Sequence, residues 1–331
     1  MEREAGEKSL VLGDQVLAKN AKWFRSVETF FECVRQRGRI RMSDSAKQRP
    51  MLECVAALAM KLGGRHLAEY GAARSRHDFT QRQLMTCLIL RAYLKTTYRG
   101  VLDHLKNCPA LRRELGLEDK LPHYSTLAKF STRSQVLPIA DAIIQQIGKA
   151  AVAADPQGQL AAMDSTGLER TAASIYYQTR SGKRRHQWVK LSAIVLCGSL
   201  LPLSITLDWG PSSDLCQVPA LVTKAKEIAQ PAKLYADRGY DAEWAHQLIR
   251  DWGVESVIRP NLRRSGAIRT GYWRPQMTAD YLKSAGYNKR WAVESFFSAF
   301  KRMMGSTLKA RRPDQLLAEA ALKVLAYALH R

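Results

Sequence analysis

The chain has 331 residues, 46% of them hydrophobic and 25% charged, the balance of a soluble globular protein and not of a disordered tail. Lys and Arg number 52 against 30 Asp and Glu, a formal net charge of +22. The excess is shared equally by residues 1–150 and 151–331, which excludes a neutral enzyme with a basic tail and points to a polyanionic partner, nucleic acid first.

From the N-terminal side, Trp23, Phe24, Val27, Phe30, Phe31 and Val34 recur at helical spacing and predict a helix over 15–35. Arg35, Arg37, Arg39 and Arg41 follow as a basic segment suited to phosphate or to plain solvation. Pro50 opens a second helix that Gly63-Gly64 is expected to close. Thr80 and Gln83 form a capping box ahead of Leu84 and Leu88, and short helices are expected at 101–105, at 111–115 before Gly116, and at 125–130. A helix-turn-helix within 80–133 is one reading of this cluster, and ordinary helical packing is the other. A helix from Pro138 through Ile147 ends in the polar stretch 154–158, where the domain boundary is placed. This gives a helical DNA-binding and multimerisation region over 1–155 and a catalytic domain over 156–331.

Beyond residue 160 the pattern turns to short apolar runs, turns and helices, the mark of mixed α/β structure. Strands are predicted at 160–163, 188–196, 201–207, 233–236 and 255–258, the first three as a meander, with helices at 216–228, 241–252, 289–303 and 313–329. Asp164 and Asp237 each end a short apolar strand, where α/β sheets commonly place functional side chains, although a turn residue and a partner for Arg238 are the plain alternatives. Glu294 shares a helix face with Arg290 and Lys301, and with Tyr287 if the helix reaches back that far, beside the apolar arc of Val293, Phe296, Phe297 and Phe300. Taken alone, that row reads equally as a solvated face with an Arg290–Glu294 pair worth about 0.3–0.5 kcal/mol.

The spacing Tyr287, Arg290, Glu294, Lys301 resembles without departure the signature of the DDE transposases of bacterial insertion sequences, families four and five in particular. Met163-Asp164-Ser165-Thr166 resembles the segment carrying that family's first catalytic aspartate, and Tyr235 to Asp241 the second. Pro122 to Leu127 and Leu308 to Arg311 extend the similarity, which spans about 80–331.

The resemblance implies a ribonuclease-H-like mixed-sheet domain in which Asp164, Asp237 and Glu294 are catalytic and bind two divalent ions. Three carboxylates within about 4 Å of one another would repel by several kcal/mol per pair at an effective dielectric near 20, so cations are required. Oxygen-only ligands favour Mg²⁺ or Mn²⁺ over zinc. The resemblance also implies that Tyr287, Arg290 and Lys301 contact DNA near the cleavage point. Basic loops holding Arg184 and Arg185, and Arg263 and Arg264, are expected to join them along double-stranded DNA. Asp241 is an alternative to Asp237, Asp208 and Asp214 read as loop residues, and Trp291 reads as packed more readily than as a stacking group. A homodimer or larger assembly on DNA is expected, because two element ends must meet.

The rival readings are a nuclease of the same fold that cuts without joining, and a retired transposase kept for its DNA contacts. The six cysteines include no Cys-x-x-Cys pair, which fits free thiols in a reducing compartment. With no secretory signal and no uncharged run long enough to span a bilayer, a cytoplasmic, nucleoid-associated protein without membrane contact is expected.

Overall fold

The computed structural model describes residues 50–74, 76–155, 159–170, 188–262 and 270–331. The predicted helix at 15–35, the arginine run after it, and Arg184, Arg185, Arg263 and Arg264 lie outside the described residues. The chain divides into one unit of Arg49–Val152 with Gln157–Arg331 and another of Met1–Gln48 with Ala153–Pro156. Apart from the last two residues of α6, the elements below belong to the first unit.

The first half of that unit is helical: α1 (Met51–His66), α2 (Gln81–Tyr93), α3 (Tyr98–Asn107), α4 (Pro109–Leu115), α5 (Tyr124–Ser131) and α6 (Val136–Ala154). Thr80 caps α2 as its spacing predicts, its hydroxyl accepting the Gln83 amide at 3.4 Å while its own amide donates to Gln83 Oε1 at 2.7 Å. Helix α1 does not stop at Gly63-Gly64 but runs on to His66. Two glycines cost a helix about 2 kcal/mol in intrinsic preference, but Gly63 is buried beside Arg82 of α2, and the packing keeps the turn helical. Helix α6 is, among the described residues, the one helix long and apolar enough to cross a membrane by length and composition. In the fold it is a core helix: Ala140, Ile143, Ile144 and Ile147 are buried, and a Cβ on Gly148 would come within 2.8 Å of the Pro202 carbonyl.

The second half is a mixed sheet of β1 (Leu160–Arg170), β2 (Val189–Leu196), β3 (Pro202–Trp209), β4 (Lys233–Ala236) and β5 (Glu255–Ile258) in the order β3-β2-β1-β4-β5. Strands β1, β2 and β3 form an antiparallel meander, and β4 and β5 run parallel to β1. Connecting and covering helices are α7 (Val218–Lys226), α8 (Glu243–Asp251), α9 (Ala279–Ser284), α10 (Trp291–Met304) and α11 (Pro313–His330), with β6 (Thr307–Leu308) paired to the far end of β1. A helical region followed by a mixed sheet with covering helices is the α/β architecture expected from the sequence.

Strands β4 and β5 have the predicted bounds. Strand β1 does not end at Asp164: the polar run Asp164 to Gly167 stays in register with Ala193 to Lys190 of β2, so cross-strand pairing carries the strand past its first apolar run to buried Leu168. On the sheet lie α10 and α11, with Phe296 and Phe300 meeting Tyr327 edge-on at centroid distances of 5.3 and 6.1 Å. Helix α11 is buried along most of its length and packs on α1 and α2 as well as on β2, β3 and α10, so one apolar core joins helices and sheet.

Candidate active site

The register of two parallel strands builds the centre of the site. The β1–β4 ladder ends at the pair Met163 and Ala236, and the next residue on each strand is an aspartate, Asp164 and Asp237. Strand β4 stops there because Asp237 turns the chain, its Oδ1 accepting the Gly239 amide at 2.7 Å to start a 3-10 turn over Arg238–Tyr240. Asp164 Oδ1 accepts the amide of Ser165 at 2.7 Å. Both side chains are partly buried.

The third carboxylate arrives on α10, whose apolar face of Val293, Phe296, Phe297 and Phe300 packs on β1 and β2. Ahead of it, Tyr287–Arg290 form a 3-10 turn and not the first turn of the α-helix, so the four signature residues do not share a single α-helical face. The turn is stitched to β4 at two points: Tyr235 donates its hydroxyl to the Ala285 carbonyl at 2.9 Å, and Tyr287 donates its own to the Ala236 carbonyl at 3.1 Å. Arg290 then bridges the site, donating to Asp164 Oδ2 at 3.4 Å and to Glu294 Oε1. Lys301 lies two turns further along α10, partly exposed.

A fourth carboxylate, which the sequence leaves as a loop residue, turns into the same space. Asp214 Oδ1 accepts the Ser165 hydroxyl at 2.6 Å and pairs with the ammonium of Lys190 at 2.7 Å. Burial pushes the Asp164 carboxyl up to about 6, and the negative charges of Asp237 and Asp214 add to the rise, against the Ser165 amide and the Arg290 guanidinium. The Tyr240 phenol is driven far above its usual range by burial first and then by the same aspartates. Its hydroxyl is fully buried and faces Ser165, whose hydrogen bond tempers the rise.

Among the described residues, no three acidic, histidine or cysteine side chains close into a metal cluster as they stand, and Glu294, 55% exposed, pairs with Arg290. The donor set nevertheless suits a hard divalent cation. It is all oxygen, and it holds like charges together at a desolvated position.

Asp241, four residues past Asp237, is committed elsewhere. Arg274 donates to its two oxygens at 2.8 and 2.7 Å, the Asn261 amide adds 2.7 Å, and the carboxylate has no exposure. Burial alone would raise its pKa, but these partners outweigh burial and hold it below the usual carboxylate range. Next to it Glu243 accepts the amides of Tyr272, Trp273 and Arg274 at 2.7, 2.9 and 3.2 Å. Buried His246 donates or accepts at Ser256 Oγ, 2.8 Å away, and burial pulls its pKa down to about 4. Asp208 accepts Gln217 Nε2 at 2.8 Å and lies within β3, opposite Lys190, not in a loop after that strand as the sequence suggests. Trp291 is not packed: it stands 55% exposed beside Arg290.

Residues 155–329 match the family described as the transposase DDE domain, more than half of the chain. A solved structure described as the cryo-EM structure of the piggyBac transposase synaptic complex with hairpin DNA is similar at a TM-score of 0.39 and 10% identity, covering 86% of this chain and 72% of that one. No curated protein matches the chain significantly.

Proposed function

The chain belongs to the transposase DDE domain family, and we propose that within it the protein is a DNA transposase of a bacterial insertion sequence. In this reading it binds the terminal inverted repeats of its element, cleaves the ends by metal-dependent phosphodiester hydrolysis, and transfers the 3′-hydroxyls into target DNA. The observation that carries the reading is the pairing of Asp164 and Asp237 where the β1–β4 ladder ends, with Arg290 tying Asp164 to Glu294 on α10.

Asp164, Asp237 and Glu294 would hold two Mg²⁺ or Mn²⁺ ions, which when bound activate a water or a DNA hydroxyl and stabilise the leaving oxygen. The chain's own residues supply the rest. Asp164 and Asp237 bring charge to a partly buried position that a cation relieves. Arg290, once Glu294 and Asp164 turn to other partners, presents a planar fork suited to a phosphate, and Lys301 offers a point charge further along the same helix. Tyr287 keeps the turn on β4 through its hydroxyl, which leaves its ring as the part that can face DNA. The net charge of +22 draws the DNA backbone to both halves. End recognition falls to the helical region over 1–155, the working form is at least a homodimer on DNA, and the compartment is the cytoplasm at the nucleoid.

The test uses purified protein, Mg²⁺ and a labelled DNA carrying the ends that flank the gene, with supercoiled target present and Glu294→Gln as control. Joined products that require Glu294 are expected. Nicking without joining would replace the reading by a nuclease, and end binding without either would replace it by a retired transposase.

A further inference from the structure

We propose that Asp214 is a further positioning residue of this site, held by Lys190 and acting through Ser165 to fix Asp164 in the arrangement that takes a divalent cation; the proposal rests on the metal-dependent reading above. Three observations carry it.

The first is the cost of the arrangement. Lys190 sits on β2 opposite Gly167, its side chain only 7% exposed, and it pairs with Asp214 at 2.7 Å while donating to the Ser212 carbonyl at 2.5 Å. An ammonium that deep is strongly unfavourable unless paired, so the contact draws the segment after β3 back over the end of the β1–β4 ladder. The second is the direct chain of bonds. The Ser165 hydroxyl donates to Asp214 at 2.6 Å, and the Ser165 amide donates to Asp164 Oδ1 at 2.7 Å, leaving Asp164 Oδ2 to Arg290.

The third observation concerns space. A Cβ built on Gly239 would meet Asp237 Oδ1 at 3.0 Å and Asp214 Oδ2 at 3.1 Å, so oxygens of both carboxylates face one small volume that the glycine alone keeps clear. The buried Tyr240 hydroxyl follows immediately in the chain, beside Ser165 and within electrostatic reach of Asp164, Asp237 and Asp214. Were the Lys190–Asp214 pair only a structural bridge, neither the second link to Ser165 nor the clear volume would be needed.

The experiment titrates the full chain, free of DNA, with MnCl₂ and separately with MgCl₂ by calorimetry, and measures the metal concentration for half-maximal cleavage and the maximal rate apart. Asp164→Asn is expected to lose the heat of binding. Asp214→Asn and Ser165→Ala are expected to weaken Mn²⁺ affinity about tenfold or more, as for other groups that orient metal ligands. Their half-maximal metal concentration should rise by the same factor, while much of the maximal rate returns at high metal. Ser165→Ala leaves the Lys190–Asp214 pair intact, and a Lys190→Met/Asp214→Asn double variant removes both charges of the pair, so misfolding from an unpaired ammonium cannot imitate the result. Wild-type affinity in Asp214→Asn or in Ser165→Ala, beside a null Asp164→Asn, overturns the proposal and leaves the metal reading standing. Wild-type affinity in Asp164→Asn overturns the metal reading, and the role of Asp214 falls with it.

Discussion

Asp237 and Asp241 lie at the two ends of one short 3-10 turn, and the fold treats them in opposite ways. Asp241 is sealed from solvent with three donors on its two oxygens and a guanidinium against it. Its neighbour Glu243 is equally occupied, by three backbone amides. Around Asp237 the balance is reversed: one oxygen takes an amide, and the nearest charged groups include two further carboxylates, Asp164 and Asp214. A carboxylate saturated with donors lowers the energy of the fold. One placed among its own kind raises that energy unless a cation arrives. The contrast separates a clamp from the proposed metal site within five residues.

The comparison can be broken most sharply by activity. Asp164→Asn, Asp237→Asn and Glu294→Gln should each reduce metal-dependent cleavage to background in a gel assay while end binding persists, whereas any of the three retaining wild-type cleavage would place the centre elsewhere. Next in size is the clamp: Asp241→Asn leaves Arg274 without its partner and should lower the unfolding free energy in urea by on the order of 3 kcal/mol, where Asp237→Asn should change it by less than about 0.5 kcal/mol.

A pH series sharpens the contrast further. In the fold Asp164 keeps its proton up to about 6, against 3.8 in the unfolded chain, so between those values the folded state binds more protons and stability falls as pH rises. Metal-free Asp164→Asn should therefore match wild type near pH 4 and exceed it above pH 6, by on the order of 2 kcal/mol. Equal stability across the range would mean that the site stores no such cost. The smallest effect expected is at Arg290: Arg290→Ala should flatten the salt dependence of DNA binding by about one unit of logarithmic slope, and an unchanged slope would remove its phosphate contact.

Much of this was legible in the sequence where local chemistry decides structure. The runs Lys233–Ala236 and Glu255–Ile258 are short, apolar and sharply bounded, and they form strands with those bounds. The capping box at Thr80 forms because both of its hydrogen bonds are local. Position and the signature spacing single out Asp164, Asp237 and Glu294 as candidates. Long-range contacts account for the rest. Nothing near Asp214 in sequence announces Ser165, 49 positions away, or a buried lysine on a central strand. Likewise β1 outruns its apolar residues because β2 pairs with it, and α1 crosses two glycines because α2 lies against them. Tyr287 to Arg290 break the α-helical pattern because Tyr235 and Ala236 hold that turn from another strand.

The burial of α11 bears on modularity. Because this helix lies against α1 and α2 on one side and the sheet on the other, the boundary drawn near residue 155 is not a seam along which the molecule can be cut. Residues 50–155 expressed alone would show water the apolar faces that Leu316 to Leu329 cover, and a fragment ending before Pro313 would leave the sheet bare as well. Exchange of recognition regions between relatives of this fold would therefore have to carry α11 with the helices it covers, as a discontinuous graft.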